Sequence, residues 1–133
     1  MSYTKDNDKV EIDTLVHKAA WFGVPGFVLF FVITMVGGIQ GLFGGAAIMV
    51  ALDILGGPFG VIVGIGMLLF LSKNAKKITK YGAKKILPLI LTKLLELNNN
   101  KTEIIKKIES YPISHDLKMD IINYIKNHNS SPD

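Results

Sequence analysis

Residues 19–72 read AAWFGVPGFVLFFVITMVGGIQGLFGGAAIMVALDILGGPFGVIVGIGMLLFLS, and the only charged side chain among them is Asp53. An uninterrupted apolar run of about 18 residues already has the length of a membrane helix, and this stretch far exceeds it. Two glycine rows lie inside it: Gly37, Gly41 and Gly45, then Gly56, Gly60 and Gly64. Residues four apart stack on one helix face, so each row forms a flat strip against which another helix can press its backbone. In water each such glycine weakens a helix by about 1 kcal/mol relative to alanine. In lipid, peptide groups must pair within the helix, and close packing offsets that cost. The stretch therefore predicts an all-α integral membrane protein with tightly packed, glycine-lined spans.

The number of crossings depends on Gly37-Gly38 and Gly56-Gly57-Pro58, which can be helix surface or breaks. In a two-span hairpin, helices cover roughly 20–42 and 50–72 with an outward turn between them. In a three-segment arrangement, shorter helices cover 20–36, 39–55 and 58–73. At 1.5 Å per residue each of these reaches roughly 25 Å, short of the ~30 Å hydrocarbon core. Charge favours the hairpin. Lys73, Lys76, Lys77, Lys80, Lys84 and Lys85 follow the stretch without an intervening acid, and Lys9 and Lys18 precede it. Both flanks are then cytoplasmic by the positive-inside rule, which requires an even number of crossings and places the chain in the cell membrane as a multi-pass protein.

Outside the membrane domain (19–72) the sequence divides into three parts. In residues 1–18 the first nine are polar and expected to fray. Ile12, Leu15, Val16 and Ala19 then recur at helical spacing toward Trp21, which suits the headgroup level. Residues 73–97 combine the lysine cluster with an amphipathic helix expected to start at Pro88, with Leu87, Ile90, Leu91, Leu94 and Leu95 on one side. This is the pattern of a helix lying in the membrane interface. In residues 98–133 a small cytoplasmic helical hairpin is expected. Asn100 and Glu103 have capping-box spacing, Ile104, Ile105 and Ile108 line the first helix, and Tyr111-Pro112-Ile113 makes the turn. Ser114 caps a second helix lined by Leu117, Ile121, Ile122 and Ile125. Two such short helices bury too little to stand alone.

Chemistry-bearing patterns are sparse. The chain has no cysteine and no arginine; all 15 basic residues are lysine and the net charge is +4. His17, His115 and His128 stand apart from any metal-ligand spacing. Neither glycine row ends in the Gly-Lys-Ser/Thr of a phosphate loop. No nucleophile–base pair is evident, so no enzyme activity, metal or cofactor is expected. The lysine cluster includes one aromatic, Tyr81, too few for a nucleic-acid face, whereas it suits anionic headgroups at about 1 kcal/mol per lysine. Asp53, with Gln40 across the turn, is the candidate intramembrane polar site, since a carboxylate at bilayer depth costs at least ~2.5 kcal/mol. Two functions fit. One is a self-associating homo-oligomer that alters membrane permeability, as a pore, holin-like protein or membrane effector. The other is a membrane-anchored immunity protein, regulator or complex subunit whose C-terminal helices bind a protein partner.

Overall fold

The computed structural model describes residues 2–37, 57–98 and 100–128, and among them every regular element is a helix. Helix α1 spans Ser2–Trp21 and α2 spans Gly23–Val32, widening into a π-helical turn at Ile33–Gly37. Helices α3 (Gly57–Lys73), α4 (Ala75–Tyr81) and α5 (Ala83–Asn98) follow. The C-terminal pair is α6 (Lys101–Glu109) and α7 (His115–Asn127).

Helix α1 begins earlier than expected. Residues 2–9 are helical rather than frayed, and no glycine or proline interrupts the chain from Ser2 to Trp21. Its spacing places Ile12, Leu15, Val16, Ala19 and Ala20 in the core. The next helix does not continue from Ala20 as a straight span. The axis turns by 114° at Phe22. Gly23 takes φ +76° there, a conformation that only glycine enters at low cost. Pro25 falls in the first turn of α2, where its missing N–H breaks no helical bond.

The bend also depends on Gly26. A Cβ at that position would lie 2.5 Å from Phe22 Cβ and 3.3 Å from the Ala19 carbonyl oxygen. Neither atom is the far end of a flexible side chain, so the helix ends would have to part. Gly26→Ala is expected to destabilise the chain by about 1–3 kcal/mol, the usual range for overpacking. Thermal unfolding of the purified protein measures this, and an unchanged midpoint would contradict the close approach.

Helix α2 is the centre of the structure. Phe27, Val28, Leu29, Phe30 and Ile33 are wholly inaccessible, and Val24, Phe31, Val32 and Thr34 are buried with them. It contacts α1, α3, α5 and α6. The ring of Tyr124 on α7 packs on it too, 6.3 Å from Phe27 and 5.5 Å from Phe31 between centroids. Each such large side chain contributes roughly 1.5–3 kcal/mol by burial, which makes α2 the main hydrophobic anchor of the bundle.

Helix α5 starts at Ala83, not at Pro88. The chain breaks at Gly82, φ +111°, whose carbonyl accepts from Lys85 and Ile86. Pro88 lies inside the helix and removes only the bond to the carbonyl of Lys84, a solvent-exposed residue. The expected apolar face is present: Leu87, Ile90, Leu91 and Leu94 are buried together with Ile86, and Leu95 is half-buried. That face packs within the chain, against α1 and α2.

The tail hairpin forms with the expected caps. Asn100 Oδ1 accepts from the backbone N–H groups of Thr102 at 2.9 Å and Glu103 at 3.3 Å. Ser114 Oγ accepts from Leu117 at 3.2 Å. Ile104, Ile108, Ile121, Ile122 and Ile125 are buried, while Ile105 and Leu117 are half-buried.

Candidate membrane-contact site

The bend at Phe22 sends neighbouring rings in opposite directions. Phe22 turns inward, its ring edge 3.4 Å from where a Gly66 Cβ would lie and its centroid 5.8 Å from that of Phe70. Trp21 turns outward and is 78% exposed, meeting Phe22 edge-on at 6.4 Å. Trp21, Phe22 and Phe70 line a hollow of about 360 Å³ with His17 and Lys18 at its rim. An amphipathic indole beside a lysine is the pairing found where hydrocarbon meets headgroups.

Helix α3 has two unlike faces. Gly64, Met67 and Leu71 are buried. Ile62 and Leu69 are each 67% exposed and Ile65 is 50% exposed, and at spacings of three and four they share one stripe. Phe70, next after Leu69 in the chain, lines the Trp21 hollow, and Lys73 ends the helix. The six lysines singled out in the sequence all lie on the surface of α3–α5. Lys77 approaches Glu11 of α1 at 3.7 Å, and Lys80 also makes an interaction.

Of the glycine rows, Gly64 is buried on the inner face of α3, Gly60 lies within α3 and Gly37 ends the π-helical turn. Gly41, Gly45 and Gly56 lie outside the described residues, as do Asp53 and Gln40. The choice between two and three crossings rests on the same segment. Among the described residues no single helix is long and apolar enough to cross a membrane. Glu11–Trp21 and Gly23–Met35 reach that length and apolarity only as a bent pair, and Gly64–Lys73 is a shorter apolar helix.

Among the described residues no group of three or more His, Cys, Asp or Glu side chains is placed to hold a metal ion. An open groove of about 610 Å³ between α1 and α5 brings Asp13, His17 and Lys18 near Thr92, Lys93 and Glu96, but these groups carry both charge signs around an apolar floor. The hydroxyls of Thr34 and Tyr111 are buried and have no hydrogen-bond partner among the described residues, an arrangement costing about 1–3 kcal/mol for each group. Burial also pushes the Tyr111 phenol up to about 12.

Sequence reasoning missed the roles of Gly23, Gly26 and Phe22. The signal lay in the spacing of Gly23, Pro25 and Gly26 immediately after Trp21. It also missed a polar tie between the tail and α5. Thr92 Oγ1 lies 2.9 Å from His128 Nε2, and Lys101 Nζ donates to the His128 carbonyl. Burial first, and then the nearby Lys101 charge, lower the His128 pKa. Unfolded chain therefore binds this proton more readily than folded chain. The His128 contribution is fully present above the ordinary histidine value near 6.5 and is lost as pH falls through the depressed folded value. The thermal midpoint is expected to drop over that acid window, with a smaller drop in His128→Gln; equal pH slopes would contradict the assignment.

No protein-family model, curated protein or solved structure matches this chain.

Proposed function

We propose that the chain is a small self-associating membrane protein that alters bilayer permeability, with residues 19–72 entering the bilayer and its lysine-rich flanks on the cytoplasmic side. The observation that carries this reading is the exposed stripe Ile62, Ile65 and Leu69 on α3, together with an outward Trp21 that shares its hollow with Lys18. Large apolar side chains grouped on one face and bounded by an indole and cations fit a lipid contact. The glycine rows supply the means of helix-to-helix packing, and Asp53 with Gln40 the polar lining of any conducting path. The lysines at 73, 76, 77, 80, 84 and 85 hold anionic headgroups.

The competing role, a membrane anchor whose tail binds a partner, needs the isoleucine faces of α6 and α7 to be available. In this arrangement Ile104, Ile108, Ile121, Ile122 and Ile125 are buried within the chain, so that face is already covered.

Trp21 is the only tryptophan and reports directly on the lipid contact. Its emission is expected to shift to the blue when the protein meets vesicles containing anionic lipid, in parallel with dye release. With zwitterionic vesicles both effects should weaken. Emission that stays at its aqueous position on vesicles of either kind would overturn the reading.

A further inference from the structure

We infer that the C-terminal hairpin α6–α7 is an intramolecular lid over α2, and that membrane insertion requires the lid to leave; this rests on the membrane reading above. Helix α2 is the most apolar helix described, yet every residue from Gly26 to Val32 is buried, and Phe27, Leu29 and Phe30 are fully covered. Part of the cover is the tail. Helix α6 packs along α2, and the Tyr124 ring of α7 sits on Phe27 and Phe31.

The lid cannot accompany α2 into hydrocarbon. Its outer face exposes Glu103, Lys106 and Lys107 on α6, and Asp116, Asp120 and Lys126 on α7. Charged groups at bilayer depth are strongly disfavoured. In the arrangement described, α2 is therefore held at the level of charged helices and cannot also be surrounded by lipid. Two states follow, one with α2 under the tail and one with α2 in the bilayer, and anything that prefers the second draws the population toward it.

The closed state has marks of a separable contact. Its edge is open: Val24 of α2 and Glu103, Ile104, Lys106 and Lys107 of α6 line a cleft of about 440 Å³. The Tyr111 hydroxyl at the tail's turn is buried with no hydrogen-bond partner among the described residues, and moving the hairpin into water would hydrate it. The tie to α5 is the single Thr92–His128 contact among the hydrogen bonds described above. Within the hairpin, α6 and α7 pack on each other, and Lys118 Nζ donates to the Glu109 carbonyl at 2.6 Å.

The absence of native cysteine gives a direct test. In the full chain, Phe31→Cys with Tyr124→Cys is joined by a short, reductant-cleavable bis-thiosulfonate linker. A control, Glu109→Cys with Lys118→Cys, staples the hairpin only to itself. Insertion is followed by Trp21 emission and dye release with anionic vesicles. The lid predicts that the first linked protein inserts roughly tenfold or more slowly, as expected when the competent population is removed, and that reductant restores it. The linked control should insert like unlinked protein. Equal insertion of linked and reduced Phe31/Tyr124 protein, or failure of that pair to link at all, would overturn the lid and leave the membrane reading standing. If the reduced and native chains also stay out of vesicles, the membrane reading falls and the lid falls with it.

Discussion

Replacing Gly41 and Gly60 together by leucine is expected to abolish oligomers in lipid and the dye release that accompanies them. A leucine in the middle of a glycine strip holds two helix backbones apart by the width of a side chain. Overpacking of this kind costs about 1–3 kcal/mol per site, and about 1.4 kcal/mol is a factor of ten in association. Two sites in each copy, repeated at every contact of an assembly, are enough to remove it. The chain should still enter vesicles, because leucine favours hydrocarbon. Loss of assembly with retained insertion is therefore the expected pattern, read by crosslinking and by Trp21 emission in the same sample. Crosslinked oligomers that persist unchanged would show that the rows do not join copies. They would then serve only packing within one chain, as Gly64 does beside Met67 and Leu71 on the inner face of α3.

The second large effect separates lipid from water as the surroundings of α3. Ile65→Asp and Leu69→Asp change residues that are 50% and 67% exposed in the bundle. Surrounded by water, a surface substitution of this kind usually alters stability by no more than about 0.5 kcal/mol. Surrounded by hydrocarbon, an aspartate costs about 2.5–3.5 kcal/mol at a span centre and less toward its end, so the pair together lose roughly a hundredfold or more in membrane partition. The expected result is a protein that folds with a near-normal thermal midpoint but no longer floats with vesicles. Phe30→Asp makes the contrasting case. It places a carboxylate at a fully buried position, so both the bundle and the inserted form should fail. If Leu69→Asp binds vesicles as well as the unaltered chain, the stripe does not face lipid.

Local rules carried much of this fold. Asn100 and Ser114 cap helices because their short side chains reach the unpaired N–H groups of the next turn, and that depends on neighbours alone. The isoleucines of the tail and the leucines of α5 face inward because a 3.6-residue period fixes one apolar side. What each side would meet was not legible. An apolar face suited to a membrane interface is equally suited to α2, and periodicity does not distinguish lipid from protein as the covering. Pro88 misplaced the start of α5 because a helix can carry a proline where the freed carbonyl belongs to an exposed residue such as Lys84. The bend at Phe22 was hidden by hydropathy, which registers apolarity and ignores the path of the backbone. Its cause is the backbone angle at Gly23 and the missing Cβ of Gly26, while the glycine rows downstream have the more regular spacing. Of the candidate site, the lysines and Trp21 were readable from composition and position. The stripe on α3 was not, because the segment is apolar on every side in sequence and only packing divides the inner face from the outer.

The most direct test is native mass spectrometry of the intact chain released from nanodiscs containing anionic lipid. A self-associating membrane protein predicts several copies of the chain leaving a single disc, with retained anionic lipid. A chain recovered only as a monomer, or found outside the discs, would contradict it.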